Sequence, residues 1–131
     1  IKNLAFAISR ETKNPSTVLH AQLDSLLKNS MIGIGDGVGV FDWVSDDVET
    51  PYVLCALLEK PVSFPSVDDS PIDIVLTLIS PEKNGPLHLQ SLSRLTRMFR
   101  DPQFLNTLRS VHSRDGMLAV LSHDNRHLLA A

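Results

Sequence analysis

The stretch Ile32-Gly33-Ile34-Gly35-Asp36-Gly37-Val38-Gly39-Val40-Phe41-Asp42 carries the strongest pattern in this chain. Glycine occupies every second position from Gly33 to Gly39, and the residues between the glycines are mostly β-branched. A period of two residues is typical of a β-strand, so the pattern predicts one strand over residues 32–40. The isoleucines and valines would share one face of it with Asp36 and Asp42. The glycines would line the other face, where another backbone or a ligand approaches closely.

A glycine-rich run of this kind also invites comparison with nucleotide-binding loops. The dinucleotide fingerprint requires the spacing G-x-G-x-x-G at the start of a helix, whereas this run reads G-x-G-x-G-x-G. The phosphate-binding loop ends in Gly-Lys-Ser/Thr, and that tripeptide does not occur in the chain. The spacing therefore argues against a nucleotide site, although a glycine-lined cleft for some other ligand stays an alternative.

The composition limits the class of protein. The chain has 131 residues, a net charge of −3 and 43% hydrophobic residues, which predicts one soluble domain over residues 1–131. It lacks the basic excess of a dedicated nucleic-acid binder and any apolar stretch long enough to span a membrane. A single cysteine, Cys55, fits a reducing compartment, so we expect a cytoplasmic protein. Because numbering starts at Ile1, we also expect that an N-terminal segment is missing.

Helices and strands alternate in blocks along the sequence. Start signals that combine a capping side chain with proline occur at Asn14-Pro15 and Asp101-Pro102. Apolar periodicity predicts the end of a helix within residues 1–10 and further helices over 15–28, over 87–100, after Asp101 and up to about 121. Strands are predicted over 52–59 and 72–79, the second being the most apolar and central. This alternation favours the fold class α/β (α+β), a sandwich of a sheet and helices.

Several segments together resemble one known family. Gly33–Trp43 matches, without a gap, the signature G-I-G-N-G-I-A-I-P-H-G of the mannitol/fructose-type enzyme IIA domain of the bacterial phosphoenolpyruvate-dependent phosphotransferase system. Ser70–Val75 is similar to the family's P-V-D-L-L stretch, Ser80–Leu89 to its A-P-E … H-L segment, and Leu95–Asp101 to its L-x-x-x-L-R-D. The similarity covers residues 1 to 122 and is strongest to the nitrogen-regulatory branch. The resemblance implies a mixed sheet flanked by helices on both faces and a histidine that carries a phosphoryl group.

The departures from that signature concern the active site itself. Asp42 stands where the resemblance places the phosphoacceptor histidine, with Phe41 in place of its proline and Trp43 in place of its glycine. The family's arginine before the glycine run is absent, and Lys28 is the nearest cation in the sequence. The second active-site histidine is kept as His88. An anionic acceptor repels an anionic phosphoryl donor, and aspartyl phosphates usually depend on a metal ion.

Two functions follow from the resemblance. In the first, the chain is a nitrogen-regulatory enzyme IIA-like pseudoenzyme that signals by binding, with Asp42 as a fixed negative charge that pairs with His88. Phe41 and Trp43 would then anchor a partner together with Lys28, or the two aromatics would simply fill the core. In the alternative, phosphate is carried on Asp42 or His88. The implied partners are the histidine-containing phosphocarrier protein or regulatory target proteins, and no cofactor, metal or oligomeric state is predicted.

Overall fold

The structure is a computed structural model that describes residues 31–46 and 48–129. Within those ranges it contains four strands and three α-helices. The strands are β1 (Ile32–Gly35), β2 (Val38–Val44), β3 (Tyr52–Val62) and β4 (Ile72–Ser80). The helices are α1 (Gly85–Met98), which follows a 3₁₀ turn over Glu82–Asn84, then α2 (Pro102–Arg109) and α3 (Arg114–Leu129).

The glycine-rich stretch is a β-hairpin, so the prediction of one continuous strand over residues 32–40 was wrong. β1 and β2 pair antiparallel, with Ile32 opposite Val40 and Gly35 opposite Val38. The chain reverses at Asp36 and Gly37, whose φ angles are 54° and 78°. Two successive residues with positive φ are the requirement of a type I′ hairpin turn.

The predicted close approach to the glycines is confirmed at Gly33. The backbone of Ser66 forms a parallel bridge to Gly33, and the Val67 amide donates to the Gly33 carbonyl at 3.2 Å. A Cβ atom on Gly33 would lie 2.3 Å from the Cβ of Ser66. Only glycine therefore lets the two segments come this close.

The sheet is mixed, with strand order β1-β2-β4-β3. β4 lies between β2, to which it runs parallel, and β3, to which it runs antiparallel. From Ile74 to Ser80 every residue of β4 is buried, which confirms the prediction that the most apolar strand is central. β3 is longer than predicted and extends to Val62.

The described helices pack on one face of the sheet. Their core unites the strand residues Val38, Val40, Ile74, Leu76 and Leu78 with the helix and loop residues Leu95, Phe99, Phe104, Leu105 and Leu108. Phe99 and Phe104 meet edge to face with ring centroids 5.0 Å apart, an arrangement that contributes about 1 kcal/mol beyond burial. α1 begins and ends two residues earlier than predicted, and α3 continues well beyond 121. The α/β prediction with a mixed sheet is confirmed.

The start of α2 follows the predicted signal. The Asp101 carboxylate accepts from the Gln103 amide at 3.0 Å, and Pro102 occupies the first helical position. The helices predicted within residues 1–10 and over 15–28 lie outside the described residues. A helical layer on the second face of the sheet, which carries Phe41, Val75 and Ile79, therefore stays a prediction.

Candidate functional site

The candidate site lies where β2 ends and α1 begins. Asp42 is the fifth residue of β2, and the parallel register sets it opposite Leu78 of β4. Val38 and Val40 belong to the core beneath the helices, so Asp42, two residues further on, extends from the same face of the sheet. His88 is the fourth residue of α1. The carboxyl ends of neighbouring parallel strands are where α/β sheets form their sites.

The structure brings Asp42 and His88 into contact although they are 46 positions apart. The Nε2 atom of His88 lies 2.7 Å from the Oδ2 atom of Asp42. An ionised carboxylate has only acceptor sites, so Nε2–H donates and Asp42 accepts. A distance of 2.7 Å is typical of a charge-assisted hydrogen bond.

The two partners differ sharply in exposure. The His88 side chain is 6% exposed, whereas that of Asp42 is 40% exposed. The Nδ1 atom of His88 is buried and has no hydrogen-bond partner in the described part of the chain. The imidazole is therefore oriented by the carboxylate alone among the described residues, and the carboxylate is the member of the pair that solvent or a partner can reach.

The two aromatic residues that flank Asp42 extend to the other face of the sheet. Phe41 is 1% exposed and packs in a cluster with Val48, Val75 and Ile79. It fills the core, so the expectation that Phe41 anchors a partner at the surface is corrected in favour of the alternative. Trp43 is half-buried against the same cluster. Lys28, the third predicted binding residue, lies outside the described residues.

Sequence reasoning missed a polar cluster at the opposite end of β2. The guanidinium of Arg109, at the end of α2, donates from Nε and from one terminal nitrogen to the two carboxylate oxygens of Asp73, each at 2.8 Å. The same terminal nitrogen donates to the carbonyl of Asp36 in the hairpin turn. Hydrogen bonding to the Asp73 carboxylate raises the pKa of Arg109. An aspartate inside the apolar run Ile72-Asp73-Ile74 was the available signal, because a charge in such a strand needs a partner.

Among the described residues, the single cysteine is unreactive and no metal-binding cluster is present. Burial raises the pKa of the Cys55 thiol to about 12, so the reactive thiolate does not form at neutral pH. Residues 31–46 and 48–129 contain no cluster of three or more metal-binding side chains. Within the same ranges, no helix has both the length and the apolar character needed to cross a bilayer.

Comparison with known proteins identifies the family to which the chain is similar. Residues 4–124 match the family model described as phosphoenolpyruvate-dependent sugar phosphotransferase system, EIIA 2. A nitrogen regulatory protein of Bradyrhizobium diazoefficiens is 31% identical over 105 residues, which cover 78% of this chain and 69% of the relative. A phosphotransferase-system fructose-specific EIIA component of Haloferax volcanii is 30% identical over 105 residues, covering 78% and 68%.

A solved structure shows the same fold. The crystal structure of the nitrogen regulatory protein IIA-Ntr from Neisseria meningitidis superposes with a TM-score of 0.80 at 23% sequence identity. The superposition covers 92% of this chain and 82% of the other. At this level of identity the likeness establishes the architecture, namely a mixed sheet with helices packed on it.

Proposed function

The chain belongs to the EIIA 2 family of the phosphoenolpyruvate-dependent sugar phosphotransferase system and is of the IIA-Ntr-like type, and from this we propose that it acts as a regulatory binding module that does not relay phosphate. In this proposal Asp42 occupies the position at which the family signature carries its phosphoacceptor histidine. The observation that carries the proposal is the 2.7 Å contact between Asp42 and His88.

The charge of Asp42 argues against phosphoryl transfer at that position. A neutral imidazole is a nucleophile at pH 7, whereas a carboxylate repels the anionic phosphoryl group of a donor protein. Asp42 instead supplies a permanent charge of −1, compared with about −1.5 to −2 for a phosphoryl group. The donor of its hydrogen bond, His88, holds this charge at one position on the surface. A partner would meet a fixed anion without any phosphorylation step.

The environment of His88 argues against transfer to that residue as well. A nitrogen that attacks phosphorus must present a lone pair to the incoming group. Nε2 carries the proton that it donates to Asp42, and Nδ1 is buried. Neither nitrogen is therefore available in the described arrangement. This supports a positioning role for His88, which orients Asp42, over the alternative of an active phosphotransferase.

The absence of transfer is tested by incubating the purified chain with phosphoenolpyruvate, enzyme I and the histidine-containing phosphocarrier protein. We expect no mass increase by intact-protein mass spectrometry, while a histidine-bearing family member in the same tube becomes phosphorylated. Hydroxylamine-sensitive phosphate at Asp42, or acid-labile and base-stable phosphate at His88, would overturn the proposal and favour the alternative.

The binding role is tested with the unphosphorylated phosphocarrier protein as the first candidate partner. Binding is followed by the anisotropy of a fluorescent label on the phosphocarrier protein, because Trp43, the single tryptophan, extends to the opposite face of the sheet from Asp42. We expect a saturable change that Asp42→Ala weakens and that Asp46→Ala, on the following loop, leaves unchanged. Identical titrations for the wild type and Asp42→Ala would contradict a role for Asp42 in docking.

A further inference from the structure

An open groove of about 430 Å³ follows the outer surface of α1. It begins at the residue after His88 and continues past the end of the helix. The ten helical residues from Leu89 to Met98 span about 15 Å, or nearly three turns. The groove is lined by Leu89, Leu92, Ser93, Thr96, Arg97 and Arg100.

The charge along this groove is uniformly positive. The sequence of α1 contains no aspartate or glutamate, whereas Arg97 and Arg100 are exposed at the groove and Arg94 is exposed beside it. Across residues 31–46 and 48–129, the ion pairs are those of His88 with Asp42 and of Arg109 with Asp73, so these three guanidinium groups are unpaired there. The net charge of the chain is −3, which makes this surface a local exception.

The groove also offers apolar contacts. Leu89 is 66% exposed, and Leu92 is half-buried where the helix joins the core. Isolated exposed leucines are common on protein surfaces. Here the two leucines precede the two arginines along one side of α1, so a ligand in the groove would meet first apolar and then cationic groups.

We propose that this groove docks an acidic amphipathic helix of a partner protein. Apolar side chains spaced three and four residues apart would contact Leu89 and Leu92, and carboxylates on the flank of that helix would pair with Arg97 and Arg100. The inference goes beyond the proposed function, since it names the chemistry of a partner and requires neither the presence nor the absence of phosphate at Asp42.

The other polyanions fit the groove less well. Nucleic acid would have only these few arginines to neutralise its phosphates, against a net charge of −3. A membrane-binding helix buries an extended apolar face in the bilayer, whereas the described lining of this groove offers two leucines. An acidic amphipathic helix supplies both apolar side chains for these leucines and carboxylates for the arginines.

Fluorescence anisotropy with a labelled synthetic helix tests the inference. The probe is about 15 residues long, with leucines every three to four positions and glutamates between them. A matched peptide carries lysine at each glutamate position. We expect saturable binding of the glutamate peptide, at least tenfold tighter than that of the lysine peptide, and weaker at high salt.

Protein variants locate the binding to the groove. Arg97→Glu/Arg100→Glu is expected to weaken binding of the glutamate peptide about tenfold and to favour the lysine peptide. Arg114→Glu is the matched control, because Arg114 is exposed at the start of α3 and outside the groove. Leu89→Ser, at an exposed position, provides an independent second variant that is also expected to weaken binding.

Several results would overturn the inference. The first is that the glutamate peptide shows no saturable binding, or binds no more tightly than the lysine peptide. The second is that Arg114→Glu weakens binding of the glutamate peptide as much as Arg97→Glu/Arg100→Glu does. The third is that the protein binds phosphatidylglycerol vesicles or a single-stranded oligonucleotide more tightly than the glutamate peptide. The phosphorylation assay is independent of all of these. Phosphate on Asp42 would refute the proposed function and leave the groove inference standing.

Discussion

At the scale of single residues, the candidate site depends on an unequal pair. His88 is nearly inaccessible, Asp42 is within reach of solvent, and one hydrogen bond joins them. The pair therefore links a surface charge to the buried side of α1. Removal of the surface partner affects the folded core as well as the surface, which makes the contact measurable without any binding partner.

Asp42→Ala is expected to lower the free energy of unfolding by about 1–2 kcal/mol, because the buried imidazole loses its partner. Asp42→Asn keeps a hydrogen-bonding side chain and should cost less. The measurement is urea unfolding followed by the fluorescence of Trp43. Asp46→Ala is the control, since it removes a carboxylate from an exposed loop position. Equal stability of Asp42→Ala and wild type would show that the contact contributes nothing to the native state.

A second residue-scale prediction concerns the acid limit of stability. The backbone amide of Asp36 donates to Asp68 at 2.9 Å, the Ser70 amide at 3.1 Å and the Ser66 hydroxyl at 3.2 Å. These hydrogen bonds, that from Asp36 foremost, lower the pKa of Asp68 from 3.8 to about 2. A lowered pKa means that Asp68 stabilises the fold fully above pH 3.8, and that this contribution is lost as the pH falls towards 2.

Asp68→Asn is therefore expected to reduce stability at pH 7 and to flatten the loss of stability between pH 4 and pH 2. Urea midpoints measured across that range test this. Asp69→Asn is the matched control, because the neighbouring carboxylate has no hydrogen bond among the described residues and an asparagine tolerates its φ of 55°. If Asp68→Asn loses stability between pH 4 and pH 2 as steeply as the wild type does, the loss does not arise from Asp68.

At the scale of elements, the β1–β2 hairpin sets the start of the strand that carries Asp42. Asp73 and Arg109 clamp its turn, and the amides of Asp73 and Ile74 donate to the Gly37 carbonyl at 2.9 and 3.1 Å. Gly37 lies five residues before Asp42, about 16 Å along the strand. The turn fixes the register of β2 against β4 and thereby the position of the candidate site.

Gly37→Ala tests the clamp. A Cβ atom there would lie 2.6 Å from Oδ1 of Asp73 and 2.8 Å from a terminal nitrogen of Arg109, at a φ of 78°. We expect a loss of at least about 2 kcal/mol by urea unfolding, from backbone strain and a disrupted ion pair. Gly85→Ala is the control, because its Cβ would meet no atom within 4 Å and its backbone is helical. Similar effects of the two substitutions would refute the clamp.

The hairpin also shows what the sequence could and could not predict. Period-two alternation identified β-structure correctly, yet it concealed the reversal, because a two-residue turn preserves the alternation on both sides. The dipeptide Asp36-Gly37 was the decisive signal, since it is among the strongest indicators of a type I′ turn. The capping sequence Asp101-Pro102 was predictive because its effect is local. The Arg109–Asp73 ion pair could not be predicted from the sequence, because it joins two residues that are 36 positions apart.

At the scale of the whole molecule, the parallel pairing of β2 with β4 and the return of the chain into α1 bring Asp42 and His88 together. Sequence periodicity predicts neither the strand pairing nor the path of the chain, so the proximity of Asp42 and His88 was expected only through the family resemblance. The described residues keep the fold around position 42 in spite of the carboxylate. The question that follows is whether this one side chain keeps the site from accepting phosphate.

Asp42→His is expected to accept phosphate from the phosphocarrier protein, whereas the wild type does not. The side chain at position 42 is 40% exposed, so an imidazole fits there without displacing the core, and it replaces a repelling anion with a neutral nucleophile. His88 then lies beside the phosphoryl oxygens and can donate to them, so Asp42→His/His88→Ala should be phosphorylated at least tenfold more slowly. The product should be acid-labile and base-stable.

Asp46→His, which adds an imidazole four residues away, should remain unmodified. A folded Asp42→His variant that takes up no phosphate would show that the carboxylate alone does not silence the site, and that another departure from the family signature, such as the missing arginine before the glycine run, contributes.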